Sequence, residues 1–151
     1  MRLSSKGRYG FRALFHIAYH SGGRPTQLRE VSEEAAIPSR FLEQIFHELK
    51  RAGIVTAKRG PKGGYQLAKH PAEISLGDAL RALEGAPAIA DRLRGRDALD
   101  PVSLTLTELA SGIERCFDAV SLADMILRAE RAGVRRRRPD PSRADVGDYA
   151  I

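Results

Sequence analysis

The 151-residue sequence contains one cysteine, Cys116, no tryptophan and no long apolar run. A single cysteine excludes an internal disulfide and any metal site built from cysteines of one chain. A membrane-spanning helix needs about 20 consecutive apolar residues, so we expect no membrane partner. Hydrophobic residues make up 42% and charged residues 29% of the chain, which is typical of a globular protein. We therefore expect a soluble, cytoplasmic protein.

Basic charge is concentrated in the first half of the chain. Residues 1–82 contain fourteen Lys and Arg against seven Asp and Glu, whereas the remainder is nearly neutral. This distribution is typical of a nucleic-acid-binding domain joined to a second function. A positively charged surface that only keeps the protein soluble has the same composition, so charge alone does not decide between the two.

Apolar spacing predicts three helices in the basic half, over about 5–20, 27–36 and 39–52. Thr26 is a candidate cap for the second helix. The first helix has an apolar face at Phe11, Leu14, Phe15 and Ala18. The third has one at Leu42, Ile45, Phe46 and Leu49. Gly53 follows the third helix, as is common at helix ends.

The pattern then changes to two short strands, over 54–58 and 65–68, separated by a turn rich in glycine and proline. Three helices followed by a hairpin with a basic tip predict a winged helix-turn-helix domain. A fourth helix is expected over Leu76–Leu83, with Ser75 as its cap. The predicted fold is therefore mainly α, with a two-stranded wing.

Beyond a connector, Thr105 and Glu108 have the spacing of a capping box. The helix that they would open has a long apolar stripe, at Leu106, Leu109, Ile113, Phe117 and Val120. A domain with a complete core cannot bury this stripe, which predicts a two-fold homodimer. A helix folded back on its own domain is the alternative. We therefore divide the chain into a DNA-binding domain at 1–85, a connector at 86–103, a dimerisation helix region at 104–132 and a flexible tail at 133–151.

Exposed positions of the third helix and the wing are the candidate DNA contacts. They are Ser39, Arg40, Glu43, Gln44 and His47 on the helix, with Lys58, Arg59 and Lys62 on the wing. Arginine can pair with guanine, glutamine with adenine, and glutamate can accept a hydrogen bond from cytosine N4. A narrow basic tip suits the minor groove. The alternatives are a Glu43–His47 surface pair on the helix and solubilising cations on the wing.

Three blocks of sequence, MRLSSKGRYG at 1–10, FLEQIF at 41–46 and RGPKGGY at 59–65, resemble the Rrf-type winged-helix regulators of bacteria. The resemblance extends without gaps to about residue 84 and resumes at 109–124. It implies a dimeric repressor or dual regulator bound to a DNA operator. It also implies that Glu43 contacts bases and that Arg59 enters the minor groove. Pro38 and Arg40 depart from the best-known members, which implies a different operator.

Sensing members of that family place three cysteines and a further ligand before the long helix. Residues 91–107 contain neither Cys nor His here, and thiolates are what hold iron–sulfur clusters. We therefore expect no cluster, no other cofactor and no metal site. The chain then resembles the cluster-free branch of the family, that of the cysteine-metabolism repressor. We expect Cys116 to be a buried core thiol; a redox regulator sensing through Cys116 is an alternative.

The last residues, Asp148, Tyr149, Ala150 and Ile151, resemble the terminal peptide of serine acetyltransferase, which inserts into cysteine synthase (O-acetylserine sulfhydrylase). Capture of a terminal carboxylate is a known mode of peptide docking. The cysteine-metabolism repressor is a partner of the same enzyme, so the resemblance implies cysteine synthase as a partner and a role in cysteine metabolism. An accidental match of a few residues is the alternative.

Two other classes of function are the alternatives. A basic RNA- or ribosome-associated module without an operator would also explain the charge, including the run Arg135–Arg138. An enzyme is excluded because the four histidines are scattered and no catalytic motif is present. The sequence therefore predicts a DNA-binding transcriptional regulator that acts as a homodimer.

Overall fold

The structure, a computed structural model, describes residues 3–85 and 100–137. In these ranges the elements are α1 (Ser5–His20), α2 (Leu28–Ala35), α3 (Ser39–Arg51), β1 (Val55–Lys58), β2 (Gly64–Leu67), a 3-10 turn (Pro71–Glu73), α4 (Leu76–Glu84), α5 (Pro101–Asp118) and α6 (Leu122–Arg131). The mainly helical architecture with a two-stranded antiparallel wing is confirmed. No described helix is long and apolar enough to cross a membrane.

Helix α1 lies at the centre of the domain and contacts α2, α3, α4, α6 and β2. Leu14 and Ile17 are buried, and Tyr19 is buried as well. Three residues of the predicted apolar face, Phe11, Phe15 and Ala18, are only half-buried. Because other elements surround α1, its buried surface is wider than the single stripe that the sequence shows.

Helix α4 packs against α1 at Gly7 and Gly10. A Cβ atom at Gly10 would overlap the side chain of Leu83, and one at Gly7 would lie 2.7 Å from Glu84 Oε1. Glycine inside a helix costs about 1 kcal/mol relative to alanine. The close approach of the buried Leu83 explains why Gly10 nevertheless holds glycine, whereas the Glu84 side chain beside Gly7 is flexible and could move aside.

Helices α2 and α3 form a helix-turn-helix, joined through Ala36 in the left-handed conformation (φ 51°). The four predicted apolar residues of α3 are all completely buried. The cap predicted at Thr26 is wrong, since Gln27 precedes α2 and makes no side-chain cap. Thr26 instead pairs with Tyr65 through two backbone hydrogen bonds of 2.8 Å, so it belongs to the wing sheet.

Helix α5 begins earlier than the predicted capping box. Its cap is Asp100, whose carboxylate accepts hydrogen bonds from Val102 N (2.9 Å) and Ser103 N (3.2 Å). The box predicted at Thr105 is therefore wrong, because the Thr105 hydroxyl donates to the Pro101 carbonyl inside the helix (2.7 Å). An aspartate before a proline starts a helix well, since proline lacks the N–H that would be unsatisfied there.

The helix region predicted at 104–132 is interrupted between α5 and α6. Leu76 N donates to Val120 O (2.8 Å) and Leu122 N donates to Ile74 O (2.9 Å). Arg81 adds an ion pair with Asp118 at 2.7 Å. These contacts fix the end of α5 on the winged domain, so Val120 lies outside the helix on which it was predicted.

Part of the predicted dimer stripe packs on the same chain. Ile113 and Phe117 contact the cluster of Leu80 and Ala110, and the ring of Phe117 lies 6.2 Å from that of Phe11. Together with Val120, three of the five predicted residues therefore contact their own domain. Along the edge of α5 that carries Ile113 and Phe117, the helix folds back on its own domain, as the alternative interpretation expected.

The chain after α6 runs along α1. The Tyr19 hydroxyl donates to Val134 O (2.6 Å), Arg136 lies over the Tyr19 ring (4.9 Å), and Arg137 N donates to His20 Nδ1 (3.0 Å). Residues 133–137, which were predicted to be part of a flexible tail, thus have fixed contacts. The connector up to residue 99 and the predicted partner-binding residues 148–151 lie outside the described residues.

Candidate nucleic-acid interface

The polar face of α3 is available to a partner because its apolar face is completely buried. All five candidate contacts on this helix, Ser39, Arg40, Glu43, Gln44 and His47, are exposed. The ring of Phe46 lies 4.6 Å from that of Tyr65. This contact ties α3 to the wing, so the helix and the hairpin are positioned together.

Several side chains on this face are held in place by local contacts. The Arg40 guanidinium lies over the Phe41 ring (5.2 Å), and Gln44 Nε2 donates to Glu48 Oε1 (3.4 Å). The Ser39 hydroxyl is 3.2 Å from that of Ser32 on α2. These contacts orient polar groups at the amino-terminal half of α3, the part of a recognition helix that contacts bases.

Glu43 and His47 have no such contacts. The surface pair that was the alternative for them is not formed, and neither makes a hydrogen bond or ion pair with another described residue. A carboxylate and an imidazole that are fully solvated on an otherwise ordered face are free to contact base edges.

The wing is narrow because of its glycines. Strands β1 and β2 pair from Val55 opposite Leu67 to Lys58 opposite Gly64. A Cβ atom at Gly63 would overlap the carbonyl of Lys58, and one at Gly64 would overlap the backbone of Thr26. Only glycine fits at these two positions, so the sequence GG is required for the tight hairpin and for its attachment to the α1–α2 loop.

The wing tip is positively charged. Lys58, Arg59 and Lys62 are exposed, and none of them forms an ion pair within the described part of the chain. Because no acidic side chain neutralises these cations, the tip presents a positive potential to the solvent. Such a tip attracts the phosphates that border a narrow minor groove.

A group of ionisable residues that the sequence analysis did not predict lies between α1 and α2. His16 is 4% exposed, and its Nε2 lies 3.5 Å from Glu34 Oε2. Burial, reinforced by the charge of His20, lowers the pKa of His16. The only sequence signal for this group is the i, i+4 spacing of Glu30 and Glu34 on α2.

A buried helical core, an exposed polar recognition helix and a basic hairpin define a winged helix-turn-helix DNA-binding protein. The family model described as "Rrf2: Iron-dependent Transcriptional regulator" matches residues 3–128. The chain belongs to this family of transcriptional regulators.

Individual relatives agree with this assignment. The HTH-type transcriptional regulator IscR of Aliivibrio salmonicida is 34% identical over 132 residues, which cover 84% of this chain and 78% of the relative. The solved structure of T. potens IscR has a TM-score of 0.76 and 33% identity, covering 91% of this chain and 94% of that one. CymR (YrzC), named as the global cysteine regulator of B. subtilis, has a TM-score of 0.74 and 30% identity, covering 85% and 98%. These relatives are transcriptional regulators rather than enzymes.

The donor set does not fit an iron–sulfur cluster. Such clusters are held mainly by several cysteine thiolates, and the chain has Cys116 alone. The prediction that Cys116 is a buried core thiol is wrong, because this residue is exposed on α5. It lies seven residues, about two helical turns, from the exposed Leu109, so the two residues share one edge of α5.

Proposed function

We propose that the protein is a homodimeric, sequence-specific DNA-binding repressor. Helix α3 would lie in the major groove, and the wing would contact the adjacent minor groove. The observation that carries the proposal is the pairing of an ordered but exposed polar face on α3 with a basic wing tip whose cations form no ion pair with a described residue. Both surfaces are fixed to one core through the contact between Phe46 and Tyr65.

We assign separate roles to the two surfaces. On α3, Arg40 would pair with guanine, Gln44 with adenine, and Glu43 would accept from cytosine N4, with Ser39 and His47 at the margins. On the wing, Arg59 would enter the minor groove while its neighbouring lysines contact phosphates. Phosphate contacts fix the position on DNA, and base contacts select the sequence.

The homodimer would form through the edge of α5 that its own domain leaves uncovered. Val102 is 65% exposed and Leu109 is 57% exposed, and Cys116 continues this edge at the same seven-residue spacing. Leu106 is half-buried beside them. A heptad spacing of apolar residues is the pattern by which two helices pack along a common seam. This edge replaces the five-residue stripe of the sequence prediction.

The experiment is to select operators from a random DNA pool and measure affinity by fluorescence anisotropy. We expect a palindromic site and a steep loss of affinity with salt, about a thousandfold between 50 and 200 mM for six or more phosphate contacts. Arg59→Ala should weaken binding, whereas Arg128→Ala, an exposed arginine on α6, should not.

Two results would contradict the proposal. A pool that yields no enriched sequence would favour a non-specific basic module, which is the RNA- or ribosome-associated alternative. Equal affinities for Arg59→Ala and Arg128→Ala would remove the wing from the interface. Adding structured RNA of the same length as a competitor distinguishes the RNA-binding module directly. A regulator that recognises an operator should stay bound to the DNA, whereas an RNA-binding module should release it.

We also propose that Asp148, Tyr149, Ala150 and Ile151 bind cysteine synthase and thereby link the regulator to cysteine metabolism. Two observations support this: the resemblance of these residues to the peptide of serine acetyltransferase, and the similarity to a structure named as a global cysteine regulator. Calorimetry with purified cysteine synthase tests it. Deletion of Ile151 should abolish binding, and O-acetylserine should compete. Unchanged binding by the deletion variant would end the proposal while leaving DNA binding intact.

A further inference from the structure

Helices α1 and α2 bring three potential metal ligands together. One ligand atom from each of His16, Glu30 and Glu34 lies within 4.8 Å of the other two. The two glutamates stand one turn apart on α2, and His16 faces them from α1. None of these three residues belongs to the candidate DNA contacts, which lie on α3 and the wing.

His16 is the residue that points to a ligand. Its side chain is 5% exposed, and Nε2 lies 3.5 Å from Glu34 Oε2 without making a hydrogen bond to any described residue. A buried polar atom that lacks a hydrogen bond is costly. A cation placed between this imidazole and the neighbouring carboxylates would give the ring nitrogen a partner.

We propose that His16, Glu30 and Glu34 bind a divalent first-row transition-metal cation. One imidazole and two carboxylates form a mixed set of donors that suits such ions, and they leave coordination positions for water. The cation would also offset the repulsion between two carboxylates at i, i+4, which destabilises a helix. A bound ion would connect α1 to the first helix of the helix-turn-helix.

The bound cation would compete with Arg137. Glu34 Oε2, the oxygen that faces His16, also lies 3.3 Å from Arg137 Nη1. One carboxylate oxygen cannot serve a guanidinium and a metal ion with equal strength, and the two cations repel each other. Metal binding should therefore loosen the segment after α6 from α1, which links the site to the part of the chain that leads to the tail.

Calorimetry of the untagged full chain with Zn²⁺ and Mn²⁺ tests the proposal. A Cys116→Ser background removes the thiol as a competing ligand. We expect one site per chain, and we expect Glu30→Gln and Glu34→Gln each to weaken binding at least about tenfold to a hundredfold, the loss caused by changes to outer-shell partners alone. Glu33→Gln is the matched control, since Glu33 pairs with Arg29 on the solvent side of α2 (2.9 Å).

The absorption spectrum of bound Co²⁺ provides a second readout that does not depend on heat. Its d–d bands should appear in the native chain and in Glu33→Gln and be lost in Glu34→Gln, with circular dichroism confirming that each variant is folded. Arg137→Ala should tighten binding by removing the competing cation. Equal affinities in Glu30→Gln, Glu34→Gln and Glu33→Gln, or no saturable binding below millimolar metal, would overturn the proposal. Neither result would affect the proposed DNA interface.

Discussion

Helices α3 and α5 are both amphipathic, but their apolar faces differ in how much of each is buried within the chain. On α3 the four residues of the apolar stripe are completely buried, Leu42 and Phe46 among them, and the opposite face is polar and exposed. On α5 one edge packs on the same chain through Phe117, whereas Leu109 is 57% exposed. A solvated polar face suits a charged polymer, while an uncovered apolar edge indicates a protein partner. The two helices thus indicate two different interfaces.

The largest effect should come from the buried face of α3. We expect Phe46→Ala to lower the free energy of unfolding by about 3–5 kcal/mol, because it leaves a cavity and removes the support of Tyr65. Urea denaturation followed by circular dichroism measures this. Gln44→Ala, on the polar face of the same helix, should change stability by less than about 0.5 kcal/mol. Similar losses for both variants would contradict the division of α3 into two faces.

A charge on the open edge of α5 should act on assembly rather than on folding. Leu109→Glu should weaken the proposed dimer by about 2–4 kcal/mol, the range of interface hot spots, while the monomer remains folded. Sedimentation equilibrium gives the dissociation constant. Glu108→Gln, a neighbouring exposed position, is the control and should assemble like the native protein. A Leu109→Glu protein with an unchanged dimer constant would place the interface elsewhere.

A substitution on the open face of α3 should act on sequence selection. Glu43→Gln should change the preference at one base pair of the operator by about 1–3 kcal/mol, since a carboxylate that rejects wrong bases is replaced by an amide. Affinity measured on operators that differ at single positions detects this change. Lys62→Ala should instead weaken binding to all sequences equally and reduce the salt dependence. Identical profiles for the two variants would contradict the separate roles of helix and wing.

The smallest effect concerns the cap that begins α6. Hydrogen bonds from Ser121 lower the pKa of Asp124. Because its pKa is lower in the folded state, the stabilisation is complete above the unfolded pKa and is lost as pH falls through the folded pKa. The free energy of unfolding of the native protein should therefore exceed that of Asp124→Asn at pH 7, and the difference should vanish well below pH about 4. A difference that persists in acid would mean that the side chain acts through packing.

Local pattern predicted the elements of the winged domain well. The stripe from Leu42 to Leu49 and the glycine-rich turn between the strands depend on residues close in sequence, so periodicity and turn chemistry suffice to predict them. The exposure of the candidate DNA contacts follows from the same periodicity. The roles of these residues in binding bases and phosphates do not follow from periodicity and stay predictions.

Features that depend on distant contacts were not predictable. The break at Val120 arises from hydrogen bonds to residues 74–76, and Gly10 of α1 is explained by the approach of Leu83 on α4. The exposure of Cys116 depends on which edge of α5 meets Leu80. The position of His16 beside Glu34 requires the packing of two helices, which no spacing within either helix reveals.

The paired backbone hydrogen bonds between residues 74–76 and 120–122 have a geometric consequence. Main-chain bonds of this kind hold α5 at a set angle to the winged domain, independently of the side chains around them. In the proposed dimer this angle determines how far apart the two recognition helices stand. The number of base pairs separating the operator halves is then a property of the protein backbone, and inserting half a helical turn of DNA between the halves should cost more than changing any single base.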